Sequence, residues 1–237
     1  MAHAAEILTA VIVVVGDFNP AIVSPDWLAR NELIGSDDAA EVPNLSKSLL
    51  VSREVTNFEA KIFSLQVLQN RFTLVSKDAL SPAFMDLAVG ILQLIPHTPI
   101  VALGLNFLGH FKLASMHEYH QVGDVLAPKD IWTSLFPGKT AGLAELTIRI
   151  QDWDRGGELK TQDEKRITLQ PSEKVKPGLL LSYNDHHDLQ AKTNDGLMPG
   201  NRAAKVIDEH WQAAMNDAIR VFDELIERAL HNGKKNA

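Results

Sequence analysis

The sequence predicts an α+β protein that contains one or more antiparallel sheets. Two similar β-α-β-β-β-α halves build the sheet structure, and a long C-terminal helix packs on it. Three observations lead to this fold class. An apolar run rich in Val and Ile lies near the N-terminus, several later segments alternate apolar and polar residues, and the C-terminal segment repeats apolar residues at spacings of three and four.

The first element is a strand over residues 7–15, since β-branched residues favour extended backbone. The GDFNP stretch at 16–20 predicts a turn, because these residue types end regular structure. A short helix should follow, with Ser24 as its N-cap, Pro25 at its first position and Gly35 at its end.

A polar loop is predicted at 36–44, and three extended runs follow it. In the middle run Phe63 and Leu65 alternate with polar residues, which is the period of a half-buried strand. A helix over 81–94 closes this half. The three runs are residues 47–58, 60–68 and 71–76.

The same order of elements recurs in the second half. A strand at 98–107 precedes a helical region, and residues 203–230 carry one apolar stripe along a long helix. Three strands are predicted between them. They are residues 141–153, 165–170 and 178–185.

The repeated order predicts an internal duplication with halves at about 1–97 and 98–237, packed as a single compact body. The stretch VVVGDFN at 13–19 is similar to VALGLNF at 101–107, since both have apolar residues followed by Gly. The alternative interpretation is a single α+β sheet whose symmetry is a coincidence.

Composition excludes several classes of function. The charge of −7, from 30 acidic and 23 basic residues, gives no overall attraction to a phosphate backbone, so nucleic-acid binding is disfavoured. The absence of cysteine excludes disulfides, thiolate zinc sites and thiol nucleophiles. No apolar run is long enough to cross a bilayer, so we expect a soluble, cytoplasmic protein without membrane contact.

The histidines supply the candidate chemistry. His117 and His120 would share one face of a helix, and Asp185 and His187 end a predicted strand. Two imidazoles and a carboxylate could hold zinc, manganese or iron with positions left open for water or substrate. The four residues are therefore metal-ligand candidates.

Two structural interpretations compete with that metal site. Ser115 and Glu118 form the S-x-x-E pattern of a capping box, which accounts for a helix beginning there. The segment NDHHDL at 184–189 suits a polar turn after a strand. The chain lacks a phosphate loop, a dinucleotide fingerprint and a G-x-S-x-G nucleophile elbow. Three tryptophans inside helical patterns are interpreted as packing anchors; they are Trp27, Trp132 and Trp211.

Three stretches carry a resemblance to a known family: VVVGDFNPAIVSPDWL, TPIVALGLNFLGHF and LLLSYNDHHDL. Together they resemble an uncharacterised, sporadically distributed bacterial protein family of about this length, over nearly the whole chain. That family has no assigned activity, so the resemblance implies no catalytic residue. Its patchy distribution implies an accessory subunit of a host-defence or mobile-element system.

The sequence therefore favours a non-enzymatic binding or assembly protein that needs no cofactor. A protein partner or a homo-oligomer is expected, because an antiparallel sheet leaves edge strands that must be covered or paired. The alternative is a metal-dependent enzyme that uses His117 and His120 with a group from residues 185–188.

Overall fold

A computed structural model describes residues 4–77, 81–154, 156–190 and 195–233. Within these residues the fold is α+β, with nine strands and six α-helices. The strands are β1 (Ile7–Gly16), β2 (Leu50–Val51), β3 (Val55–Glu59), β4 (Phe63–Leu68), β5 (Arg71–Ser76), β6 (Ile100–Lys112), β7 (Leu146–Trp153), β8 (Leu159–Pro171) and β9 (Gly178–Asp188). The helices are α1 (Pro25–Arg30), α2 (Ser36–Leu45), α3 (Pro82–Leu94), α4 (Met116–Leu126), α5 (Asp130–Leu135) and α6 (Pro199–Gly233).

All nine strands join one antiparallel sheet in the order β2-β3-β4-β5-β1-β6-β9-β8-β7. The two long strands β1 and β6 lie side by side at its centre, with Val11 opposite Asn106. The strands β2 and β7 are the two edges of the sheet among the described residues. The edge at β7 is eight residues long, whereas β2 has two.

One face of the sheet is covered by helices. In β1 the side chains of Ala10, Ile12 and Val14 are buried on that face, while Val11 and Val13 on the other face are half-buried. This alternation follows from the pleat, which sends successive side chains to opposite faces. The buried side chains form one hydrophobic cluster between the sheet and the helices.

Helix α6 crosses the centre of the covered face and anchors there through aromatic contacts. The Trp211 ring lies 5.1 Å from Phe107 of β6 and 5.7 Å from Phe84 of α3. Further along, Phe222 meets Phe111 edge-on at 5.7 Å. These contacts explain the apolar stripe of the C-terminal segment, since it is the side of α6 that faces the sheet and α3.

Two predicted loops have regular structure. Residues 36–44 form helix α2, because Asp37 and Asp38 suit the positive end of a helix and the apolar side chains of Ala39 and Val42 are buried on one face. The predicted turn in NDHHDL is also wrong: β9 continues to Asp188, because it pairs with β6 and β8 on both sides.

The similarity between residues 13–19 and 101–107 does not mark equivalent positions. Gly16 ends β1, whereas Gly104 lies inside β6. If residues 13–19 are aligned with 101–107, Val14 corresponds to Ala102. Val14 faces the helices, but Ala102 pairs with Val15 and lies on the other face of the sheet. A shift of one residue in a strand reverses its faces, so the resemblance in texture has no structural basis.

Candidate functional site

The predicted histidine pair lies at the beginning of α4. Ser115 caps this helix by accepting a hydrogen bond from the Glu118 amide at 3.2 Å. The Glu118 carboxylate reaches back to accept from the Ala114 amide at 2.9 Å, so the prediction of a capped helix start is confirmed. His117 and His120 are both exposed.

The structure does not bring the four metal-ligand candidates together. Helix α4 packs against the end of α6, where the Gln121 side-chain amide donates to the carbonyl oxygens of Ala229 and Leu230. His187 instead contacts His210, which precedes Ala229 by nineteen residues of α6. At 1.5 Å per residue, that is roughly 28 Å of helix axis. In the parts of the chain described here, no group of three or more His, Asp or Glu side chains is arranged to hold a metal ion.

Asp185 and His187 belong to a polar cluster between the sheet and α6. Alternation along β9 points Tyr183, Asp185 and His187 toward the helix, and all three are buried. The imidazole of His187 has its Nε2 atom 3.5 Å from Asp185 Oδ2 and its Nδ1 atom 3.8 Å from Asp163 Oδ2. Its ring lies 4.7 Å from the ring of His210. His186 faces the opposite side of the sheet.

Lys165 supplies the positive charge of this cluster. Its ammonium lies 3.0 Å from Asp217 of α6 and 5.8 Å from the centre of the Tyr183 ring. Burial opposes the charged form of Lys165, but the nearby Tyr183 hydroxyl and the hydrogen bond with Asp217 outweigh that effect and raise its pKa. Hydrogen bonds from Lys165 and Arg220 lower the pKa of Asp217. The pair is therefore charged over a wide pH range.

This arrangement has a clear structural consequence. It links β8 to α6 through the ion pair of Lys165 and Asp217, and β9 to α6 through the contact between the His187 and His210 rings. A shallow depression of about 410 Å³, lined in part by Ile150, Asp163, Lys165 and Asp185, opens beside it toward β7.

The second feature is a set of exposed apolar side chains on α5 and β7. Among the described residues, every large apolar side chain that is at least half exposed, except Met116, lies on these two elements or, in the case of Phe136, directly after α5. We call this set the edge patch. It consists of Ile131, Trp132, Leu135, Phe136, Ile148, Ile150 and Trp153.

A cavity of about 590 Å³ lies between α5 and the start of β7. Its lining includes Trp132 of α5, Phe136 directly after that helix, Leu143, and Leu146 at the first position of β7. The cavity wall is mainly apolar, although Lys129 borders it, where it also forms an ion pair with Asp124. The helix α5 therefore stands beside the beginning of the edge strand.

On the other face of β7, charged side chains hold the strand to its neighbour. The guanidinium of Arg149 lies 3.1 Å from the buried carboxylate of Glu164, which also contacts Arg166. A buried carboxylate needs such partners, because an unpaired charge away from water is costly. Both partners of Glu164 are therefore already engaged within the chain.

The sequence interpretation of the tryptophans is only partly right. Trp211 is 4% exposed and anchors the core, and Trp27 is partly buried against it. Trp132 is 55% exposed, because the six-residue α5 lies at the rim of the fold instead of over the sheet. The alternation of Ile148 and Ile150 was visible in the sequence, but their exposure depends on β7 being an edge strand.

No protein-family model matches this chain, and no curated protein matches it. Among the described residues, no helix combines the length and the apolar character that crossing a membrane requires. The function therefore has to be argued from the site itself.

Proposed function

We propose that this chain is a non-enzymatic binding or assembly protein and that the edge patch is its contact surface for another polypeptide. The observation that carries the proposal is the concentration of half-exposed large apolar side chains on α5 and β7. Large exposed apolar patches are uncommon on a protein that functions alone, and they mark interaction sites.

The composition of the edge patch supports a protein partner. Two tryptophans and a phenylalanine contribute to it, and aromatic residues are enriched in the centres of protein interfaces. The unpaired backbone of β7 adds hydrogen-bonding groups that a second strand could satisfy. Apolar side chains and a free strand edge together fit a peptide or a protein better than a small molecule.

The resemblance to a sporadically distributed bacterial family extends this proposal. It suggests that the chain is a cytoplasmic accessory subunit of a host-defence or mobile-element system. The sequence stretches at 13–28, 98–111 and 179–189 support this extension.

We also infer that the chain arose by duplication of a β-α-β-β-β-α unit. In support, the sheet order is similar on the two sides of the central pair: β5, β4 and β3 follow β1 on one side, and β9, β8 and β7 follow β6 on the other, with the two-residue β2 as an additional strand beyond β3. The helix-facing residues of β1 have even numbers, and those of β6 have odd numbers. If the two halves are related, corresponding residues must therefore differ in number by an odd value. An alignment of homologous sequences should match the two halves at one such odd offset. A best match at an even offset would argue against duplication.

A cross-linking experiment tests the contact surface. A photo-reactive benzophenone amino acid is placed at position 150 in the edge patch, or at position 219 on the exposed side of α6 as a matched isoleucine control. The proposal expects covalent adducts with a polypeptide from position 150 in the cells that produce the protein, and few from position 219.

The adduct must then be verified with purified components. The cross-linked polypeptide is identified and titrated with the wild type and with W132A. Binding by the wild type and loss of binding by W132A support the proposal. Equal adduct yields from positions 150 and 219, or unchanged binding by W132A, would contradict it.

A further inference from the structure

We propose that the polypeptide on the edge patch is a second copy of this chain, and that the two copies pair antiparallel through β7 about a twofold axis at Ile148. This inference rests on the proposed function, because it names the partner of the same surface. It makes one sheet of eighteen strands from two sheets of nine.

The free edge of β7 is the first support. All eight of its residues are exposed or half-buried, and it borders a strand, β8, on one side only. Proteins usually protect such an edge with proline, inward charges, a short strand or a bulge at its centre. Here the bulge lies near the end, between Gln151 and Trp153, so the centre of the strand is free to pair.

Twofold symmetry requires one residue of β7 to face its own copy. A twofold axis perpendicular to the sheet preserves its faces, so each residue must pair with one of the same parity. Centring the axis on Arg149 would place two guanidinium groups opposite each other. Centring it on Ile150 would place Ile148 opposite Asp152.

The axis at Ile148 gives a complementary set of pairs. Ile148 faces its own copy, and Leu146 lies opposite Ile150, so the helix-side row is entirely apolar. On the other face Thr147 lies opposite Arg149. No like charges are directly opposed along this row, and apolar cross-strand pairs favour the association.

The same register also reaches the cavity beside α5. It places Ile150 of the second copy opposite Leu146, which lines the cavity together with Trp132 and Phe136. The twofold axis repeats this contact, so apolar side chains of each copy lie beside the cavity of the other.

The exposed aromatic side chains supply part of the area that a stable dimer requires. Large aromatic side chains bury roughly 150–250 Å² each, so a half-exposed one offers about 100 Å². The three aromatic members of the edge patch, Trp132, Phe136 and Trp153, therefore offer roughly 300 Å² per copy, before its four aliphatic members, the backbone and the polar atoms are included. A stable interface buries about 800 Å² on each partner.

Sedimentation velocity of the full chain over a dilution series tests this dimer. The wild type should associate as a dimer, and I148K should raise the dissociation constant roughly 30-fold or more, as expected for a central interface residue. The control I219K changes an exposed isoleucine on α6 and should leave the dimer unchanged. Circular dichroism confirms that each variant is folded.

A mixture of two variants tests the register. Because Ile148 faces its own copy, I148K and I148E should each be monomeric alone and should form a heterodimer together. Failure of the mixture to associate, or a dimer that survives I148K, would overturn the inference.

The outcome also separates this inference from the proposed function. A wild type that remains monomeric throughout the series overturns the dimer. If position 150 then still cross-links to a different protein that W132A no longer binds, the proposed function stands. If neither association occurs, both proposals fail.

Discussion

Lys165 of β8 and Asp217 of α6 form an ion pair with 3.0 Å between the Nζ and Oδ2 atoms. The pair links the outer part of the sheet to the long helix beside the buried His187 and Asp185. Both side chains keep more than a third of their surface exposed, so solvent screening limits the contribution to stability to about 1 kcal/mol or less.

The variant D217N should therefore lower the free energy of unfolding by roughly 0.5–1 kcal/mol at pH 7. The pKa of Asp217 is lowered in the folded protein, so its contribution is present above the unfolded value of about 3.8 and is lost as the pH falls through the lower folded value. Urea unfolding should show the difference between the wild type and D217N shrinking in acid. A control on the same helix, E209Q, removes an exposed pair at 3.8 Å and should have a smaller effect at pH 7.

Trp211 and Trp132 should separate stability from association. W211A removes a buried ring that contacts Phe107 and Phe84, so it should cost about 3–5 kcal/mol of unfolding free energy. W132A removes a side chain that is mostly exposed and should cost less than about 1 kcal/mol. Chemical denaturation measures both, and comparable losses for the two variants would mean that Trp132 is a core residue.

His110 should make stability depend on pH. It is buried, with its Nδ1 atom 2.8 Å from Ser172 Oγ, and burial together with nearby Lys174 lowers its pKa. The unfolded chain therefore binds a proton first as the pH falls through 6.5, and the folded state loses stability there. Lowering the pH from 7.5 to 5.5 should reduce the free energy of unfolding less for H110Q than for the wild type. An exposed control, H117Q, should retain the full decrease; identical pH dependence in H110Q would contradict the prediction.

A double-mutant cycle tests whether the predicted metal-ligand set acts together. His117 and His120 contribute to a different part of the molecule from His187, so the effects of H117A/H120A and H187A should add to within about 0.5 kcal/mol. The cycle is measured by urea unfolding with and without added zinc, manganese or iron. If the effects of H117A/H120A and H187A on the free energy of unfolding become coupled only when metal is added, the three histidines share an ion. That result would support the alternative of a metal-dependent enzyme.

Much of the fold could be predicted from residue patterns. The run of β-branched residues predicted β1, alternation predicted β4, and the repeat at three and four residues predicted the long helix α6. The segment NDHHDL misled the prediction. Its polar residues suit a turn locally, but pairing on both sides by β6 and β8 outweighs that preference.

The candidate sites were less predictable, because they depend on long-range neighbours. The sequence identified Asp185 and His187 as a possible site, yet it paired them with His117 when their contacts are His210 and Asp163. Nothing local identifies such partners across a sheet and a helix. The edge patch was missed for a related reason, since Ile148 and Ile150 have the pattern of a covered strand and only the sheet order shows that β7 is an edge.

Hydrogen exchange of residues 146–153 tests the central claim, that the edge of β7 pairs with another polypeptide, most directly. The outward-facing amides of β7 should exchange quickly in dilute protein and become protected in concentrated protein as the two copies associate. The opposite edge, β2, serves as an internal control and should exchange at the same rate in both samples. Protection confined to β7 is the predicted result; unchanged exchange in β7, or equal protection of β2, would contradict the account.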